Sequence, residues 1–148
     1  MAKPTPEELV GWARTFMDAV PHNRALGIEL VALEPGVATM RLPYRLELVG
    51  NPDSGVIHGG PITAVLDACS GAAVFSALRR PVPIATLDLR VDYMRPATPE
   101  LPIITRAECY KLTGHVAFTR AVAYHDDPEQ PIATSSGTFM IATPGGDG

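Results

Sequence analysis

The chain is poor in aromatic side chains, poor in cysteine and short of positive charge. Aromatics make up 6% of its 148 residues, so the apolar share of 46% rests mainly on Ala, Val, Leu and Ile. Cys69 and Cys109 stand alone, without the paired spacing of a disulfide framework or a zinc site, so a reducing compartment is expected. Lys and Arg number 12 against 16 Asp and Glu, a net charge of −4. That balance argues against nucleic acid or an anionic membrane surface as a partner. The first residues, Met1-Ala2-Lys3-Pro4, lack the apolar core of a signal peptide, and no repeat, linker or Gly-x-Ser-x-Gly elbow occurs. With 19% charged residues the chain is neither disordered nor fibrous in composition. The expectation is one soluble cytoplasmic domain.

Thr5-Pro6-Glu7-Glu8 reads as a helix start, with Thr5 as N-cap, Pro6 at the first helical position and Glu8 completing a capping box. Leu9, Trp12, Ala13, Phe16 and Val20 follow at helical spacing, which predicts an amphipathic helix over about 6–20. Two short β-type runs, 28–34 and 37–42, flank the turn dipeptide Pro35-Gly36. A turn-rich loop over 50–60 leads into a segment, Pro61 to Leu78, that is apolar around nearly the whole helical circumference. Such a helix must be buried, and Asp67 near its middle disfavours a membrane span.

After Pro81 the pattern is strand. Thr86, Asp88, Arg90 and Asp92 alternate with Leu87, Leu89, Val91 and Tyr93, predicting a half-buried strand. Runs at 103–112 and 115–125 meet at Thr113-Gly114, a hairpin turn, and a last strand covers about 132–142 after the Asp127-Pro128 turn. Ala117, Ala121 and Ala123 share one face, as do Ala133, Ser135 and Gly137, so the apolar helix is expected to approach closely there. The reading is an α+β domain, an antiparallel sheet around one central helix, with a core over about 25–142 and a disordered tail at 144–148.

Asp67 is the most informative residue, because it is the one ionisable group on that helix, and burying a carboxylate without a partner is costly. Thr63, Asp67, Ser70 and Gly71 fall on one face at i, i+4, i+7 and i+8. His58-Gly59-Gly60 opens the helix, and the glycines are expected to leave backbone N–H groups open where the helix dipole is positive. That place suits a carbonyl oxygen that becomes an oxyanion.

Asn51, Gly55, His58-Gly59-Gly60 and, nine residues after the histidine, Asp67 resemble the hotdog-fold acyl-CoA thioesterases of the phenylacetate-pathway (PaaI-type), 4-hydroxybenzoyl-CoA thioesterase-like family. Thr86-Leu87-Asp88-Leu89 and Tyr93-Met94-Arg95-Pro96-Ala97 resemble that family's strand after the central helix. The resemblance implies a hotdog fold and hydrolysis of an aliphatic or aromatic acyl-CoA without metal or other cofactor. It implies that the Gly59 N–H polarises the carbonyl, that Asn51 and His58 help place it, and that Asp67 is nucleophile or general base. Thr86 would position water, while Gly60 and Arg95 would contact substrate. Asn51 precedes His58 by seven residues, one more than in some relatives, and His115 stands where many carry a basic residue near the coenzyme phosphates. Arg79, Arg80 and Arg95 are further candidates for those phosphates.

The spacing adds a constraint of its own. Gly59 and Asp67 are eight positions apart, ~12 Å of helical rise, too far for one carbonyl to meet both. A site using both therefore needs Gly59 of one subunit and Asp67 of another, which a two-fold dimer supplies twice; dimers can pair further into tetramers. Cys69 lies on another helix face without an evident base, and His22, His115 and His125 make no metal-ligand spacing. Two alternatives stay open: a non-catalytic acyl-CoA-binding or regulatory module, and an enoyl-CoA hydratase. The hydratase is disfavoured, because such enzymes place Asp and His closer together at the helix start.

Overall fold

The computed structural model describes residues 2–142. The tail predicted to be disordered lies outside them. Helix α1 (Pro6–Ala19) starts as its sequence dictates: Thr5 Oγ1 accepts the Glu8 N–H at 3.2 Å and the Glu8 carboxylate accepts the Thr5 N–H at 2.7 Å. Pro21 does not simply end the helical region. It opens a second short helix, α2 (Pro21–Leu26), because proline suits a first helical turn; Gly27, at φ 74°, ends it in the left-handed region.

Strands β1 (Glu29–Glu34) and β2 (Val37–Leu42) form the expected hairpin. A two-stranded ribbon, β3 (Val49–Asn51) and β4 (Val56–Ile57), leads into α3 (Gly59–Ala77). Four strands follow: β5 (Ile84–Tyr93), β6 (Ile103–Leu112), β7 (Val116–Tyr124) and β8 (Ala133–Ile141). Six strands make one antiparallel sheet in the order β1-β2-β6-β7-β8-β5, and α3 packs across β2, β6 and β7.

The small residues explain that packing. Ala107, Ala117, Ala121, Ala123 and Ala133 are all buried beneath α3, whose Val65, Leu66, Cys69, Ala72 and Ala73 are completely covered. Each large aliphatic group so buried contributes roughly 1.5–3 kcal/mol. Polar ties fix the helix in place. The Cys69 thiol reaches the Ala38 carbonyl at 3.3 Å, and Ser76 Oγ accepts the Gly36 N–H at 3.0 Å while lying 2.9 Å from the Glu34 carbonyl. By length and composition α3 could cross a membrane, but the sheet and α1 cover it instead.

Two expectations need correction. The helix begins at Gly59 rather than Pro61, so both glycines belong to its first turn. And β5 does not alternate cleanly: a bulge between Thr86 and Asp88 breaks the register, leaving Leu87 58% exposed, and only Leu89 and Val91 are half-buried in its central part. The cause is its place at the sheet edge, where one flank has no neighbouring strand among the described residues.

Candidate active site

The first turn of α3 is held from both sides. His58 is the N-cap, and its Nδ1 accepts the Gly60 N–H at 2.8 Å, so Nε2 carries the proton of the neutral ring. The Tyr93 hydroxyl, at the end of β5, donates to the Gly59 carbonyl at 2.8 Å and also bonds Thr63 Oγ1. The peptide unit joining Gly59 to Gly60 is thus fixed at its carbonyl by Tyr93 and at its N–H by His58. The sequence predicts two open donors; one is taken. The Gly59 N–H has no partner among the described residues.

Close approach favours glycine here. A Cβ on Gly59 would lie 3.2 Å from the Tyr93 hydroxyl, and one on Gly60 would lie 3.1 Å from His58 Nδ1. Asn51 shapes the preceding turn: its Oδ1 accepts the Asp53 N–H at 3.0 Å and its carbonyl accepts the Gly55 N–H at 2.9 Å. Within one chain nothing ties it to Gly59.

Two turns further along α3, Asp67 is half-buried, and its Oδ1 accepts the Thr86 hydroxyl at 2.8 Å. It is not paired with an arginine, and Oδ2 has no partner among the described residues. The pair opens on a cleft of about 240 Å³, whose walls come from Phe16 and Met17 of α1, Val20 between the two helices, His22 and Asn23 of α2, Ile84, and Phe139. Gly59 lies on a different cleft, of about 380 Å³, with Tyr93, Arg95 and Ala97. Arg95 donates to the Gln130 carbonyl at 2.7 Å. The structure therefore joins Asp67 to Thr86, and Gly59 to His58, Gly60 and Tyr93, but it does not join the two groups.

The four-residue polar stripe divides accordingly. Thr63 belongs to the Tyr93 clamp, Asp67 and Gly71 line the Asp67 cleft, and Ser70 is fully buried with no hydrogen-bond partner among the described residues. Tyr93 and the α2 wall are what the sequence reading missed. The signal for Tyr93 was its place at the end of the strand carrying Thr86, seven residues on.

Other candidates lie apart from Gly59 and Asp67. Burial pushes the Cys69 thiol up to about 12, so it is no nucleophile. His125 is a loop tie: its Nε2 accepts the Thr98 N–H at 2.8 Å and Nδ1 bonds the Pro102 carbonyl at 2.8 Å. Arg79 and Arg80 line a separate hollow with Thr113 and Gly114. Among the described residues no three His, Cys, Asp or Glu side chains could hold a metal ion.

A long helix spanned by an antiparallel sheet is the hotdog architecture of thioester hydrolases. The chain belongs to the thioesterase superfamily, whose description matches residues 54–132. It is 32% identical over 147 aligned positions to the medium/long-chain acyl-CoA thioesterase YigI of Escherichia coli K12, covering 90% of this chain and 92% of that protein. A crystal structure of a Pseudomonas aeruginosa protein is 45% identical, with TM-score 0.81 over 89% of this chain and 98% of the other. A mutant of the phenylacetic acid degradation protein PaaI of Thermus thermophilus is 26% identical, with TM-score 0.72 over 82% and 98% of the two chains.

Proposed function

We propose that this chain hydrolyses acyl-CoA thioesters at a site shared between two copies, with Gly59 supplied by one and Asp67 by the other. The observation that carries this reading is the layout of β5. Thr86 sits near its start and bonds Asp67; Tyr93 ends it and bonds Gly59. Its outer edge is unpaired among the described residues, and a ten-residue edge strand is an open template for another strand.

Antiparallel pairing of β5 with a second copy about a two-fold axis reverses one strand against the other. Centred on Leu89, it sets Thr86 opposite Asp92 of the second copy, next to that copy's Tyr93. The Asp67 end of one helix then faces the Gly59 end of the other, twice. The same register sets Asp88 opposite Arg90, an opposite-charge cross-strand pair. The unpaired edge, the exposed Leu87 and the ~12 Å helical separation are explained together.

In such a site the thioester carbonyl accepts the Gly59 N–H, and the positive helix end stabilises the oxyanion as it forms. Thr86 holds one carboxylate oxygen of Asp67, leaving the other to work. Asp67 either takes a proton from water, whose hydroxide adds to the carbonyl carbon, or adds itself and forms an anhydride that water then cleaves. In both routes the C–S bond breaks, the coenzyme leaves as thiolate and takes up a proton, and the free acid is released. His58 and Gly60 preserve the turn geometry, and Arg95, beside Gly59, is the candidate for the coenzyme phosphates. Asn51 shapes the loop that delivers His58. Released into the cytoplasm, the products need no membrane partner.

The test is thiol release across aliphatic and aromatic acyl-CoAs with wild-type protein and Asp67→Asn. The variant should retain fold and assembly and lose at least ~100-fold in turnover. Near-wild-type hydrolysis would remove Asp67 from the chemistry. Single turnover in oxygen-18 water separates the two routes, because direct attack leaves label in the Asp67 carboxylate.

A further inference from the structure

Gly71 is a glycine that the protein's own packing does not require. It lies inside α3, is buried and does not have a positive φ. A Cβ built there would meet Phe139 Cε1 at 3.7 Å and Ile84 Cδ1 at 4.0 Å, ordinary contact distances. Alanine would fit, and alanine is the better helix former. At Gly59, Gly60 and Gly137 the neighbours stand within 3.2 Å and explain the glycine; at Gly71 they do not. What Gly71 does is leave room in the cleft that starts at Asp67.

That cleft has a direction. Ala64, Asp67, Ala68 and Gly71 line it along one stripe of α3. One turn beyond Gly71 on the same stripe, Phe75 stacks on Phe16 of α1, with ring centroids 5.4 Å apart and planes within 8°. The floor from Asp67 to that aromatic pair spans eight residues, about 12 Å, the extended length of roughly eight to ten chain carbons. Its walls are mostly apolar, from Met17, Val20, Ile84 and Phe139, with His22, Asn23 and Thr86 as the polar groups.

Resting on the acyl-CoA reading, we infer that the cleft between α1 and α3 receives a medium-length acyl tail, with its length limited by the floor from Asp67 to Phe75. Gly71 keeps its middle open, and the Phe16–Phe75 stack closes its far end. Chain-length selection is then set by three residues, Gly71, Phe16 and Phe75, that lie outside the reacting centre. Phe16 is half exposed, so truncating it changes the end wall without emptying the core.

The experiment is kcat/KM by thiol release over butyryl-, octanoyl-, decanoyl- and tetradecanoyl-CoA for wild type, Gly71→Ala, Gly71→Leu and Phe16→Ala. Gly71→Leu should lower the decanoyl-to-butyryl ratio at least ten-fold, and Gly71→Ala should lower it in the same direction by less. Phe16→Ala should raise the tetradecanoyl-to-octanoyl ratio several-fold. Folding of Gly71→Leu is checked by its melting temperature, and the other two variants carry the test if it is lost. Ratios unchanged in all folded variants of an active enzyme would overturn the cleft assignment alone. Wild-type protein inactive on every acyl-CoA would overturn the hydrolytic reading beneath it.

Discussion

The two clefts on α3 are built by opposite means. At the helix start, every feature serves to immobilise backbone: a histidine N-cap, a tyrosine on the Gly59 carbonyl and glycines against which no Cβ would fit easily. Around Asp67 the backbone is ordinary helix, and the features serve to make volume: Ala64, Ala68 and Gly71 for a floor, α1 and α2 for a wall. The difference matches what each is proposed to hold. An oxyanion is stabilised by a main-chain donor that does not reorganise, so the site must be rigid. An acyl tail is recognised by area and length, so its site must be open.

The sharpest way to break this comparison is Gly59→Pro. His58 already has φ −59° and ψ 147°, the extended conformation favoured before proline, and proline is favoured at the first helical position. The substitution deletes the N–H while keeping the helix, with Tyr93 shifting slightly. Turnover should fall ~100–1,000-fold, the usual loss for one oxyanion donor, with the chain-length profile unchanged. A fall confined to long acyl chains would show that the two clefts are not distinct in role.

Tyr93→Phe should have a smaller effect. It removes the hydroxyl that fixes the Gly59 carbonyl but keeps the ring. We expect kcat to fall about ten-fold with KM nearly constant, since one hydrogen bond to a positioning group contributes about 1–1.5 kcal/mol. A rise in KM at constant kcat would assign Tyr93 to binding instead. The smallest effect is expected at Thr5→Ala, which removes the α1 capping box at a distance from both clefts. It should cost about 1 kcal/mol of stability in a thermal or urea melt and leave the chain-length ratios unchanged. A shifted ratio would mean that α1 frays into the cleft and is more than a fixed wall.

Much of this was legible in the sequence because local chemistry dominates there. The capping box at Thr5–Glu8, the hairpin turns and the all-round apolar α3 each follow from side chains a few residues apart, and each is present, α3 starting two residues earlier than expected. The Asp67–Thr86 pair was legible only as two residues suited to one job; a tertiary contact across 19 positions has no local signature. The misreadings share one cause. The second glycine N–H and the alternation of β5 follow from residue type only in part, because hydrogen-bond competition and sheet position decide them. The Gly60 N–H turns to His58, and β5 takes the edge. Gly71 was visible as a small residue on the Asp67 face, but its emptiness required knowing how far away Phe139 stands.

The central claim is that one chain holds both halves of the chemistry but not one whole site. Mixing Asp67→Asn with Gly59→Pro, each inactive alone, tests it directly. Random re-pairing of equal amounts makes half of the dimers mixed, and each mixed dimer has one intact pair, Gly59 from the first variant and Asp67 from the second. The expected result is recovery to about a quarter of wild-type turnover, rising with time as subunits exchange. No recovery, with mixed dimers demonstrated by native mass spectrometry, would place a complete site within a single chain and contradict the account.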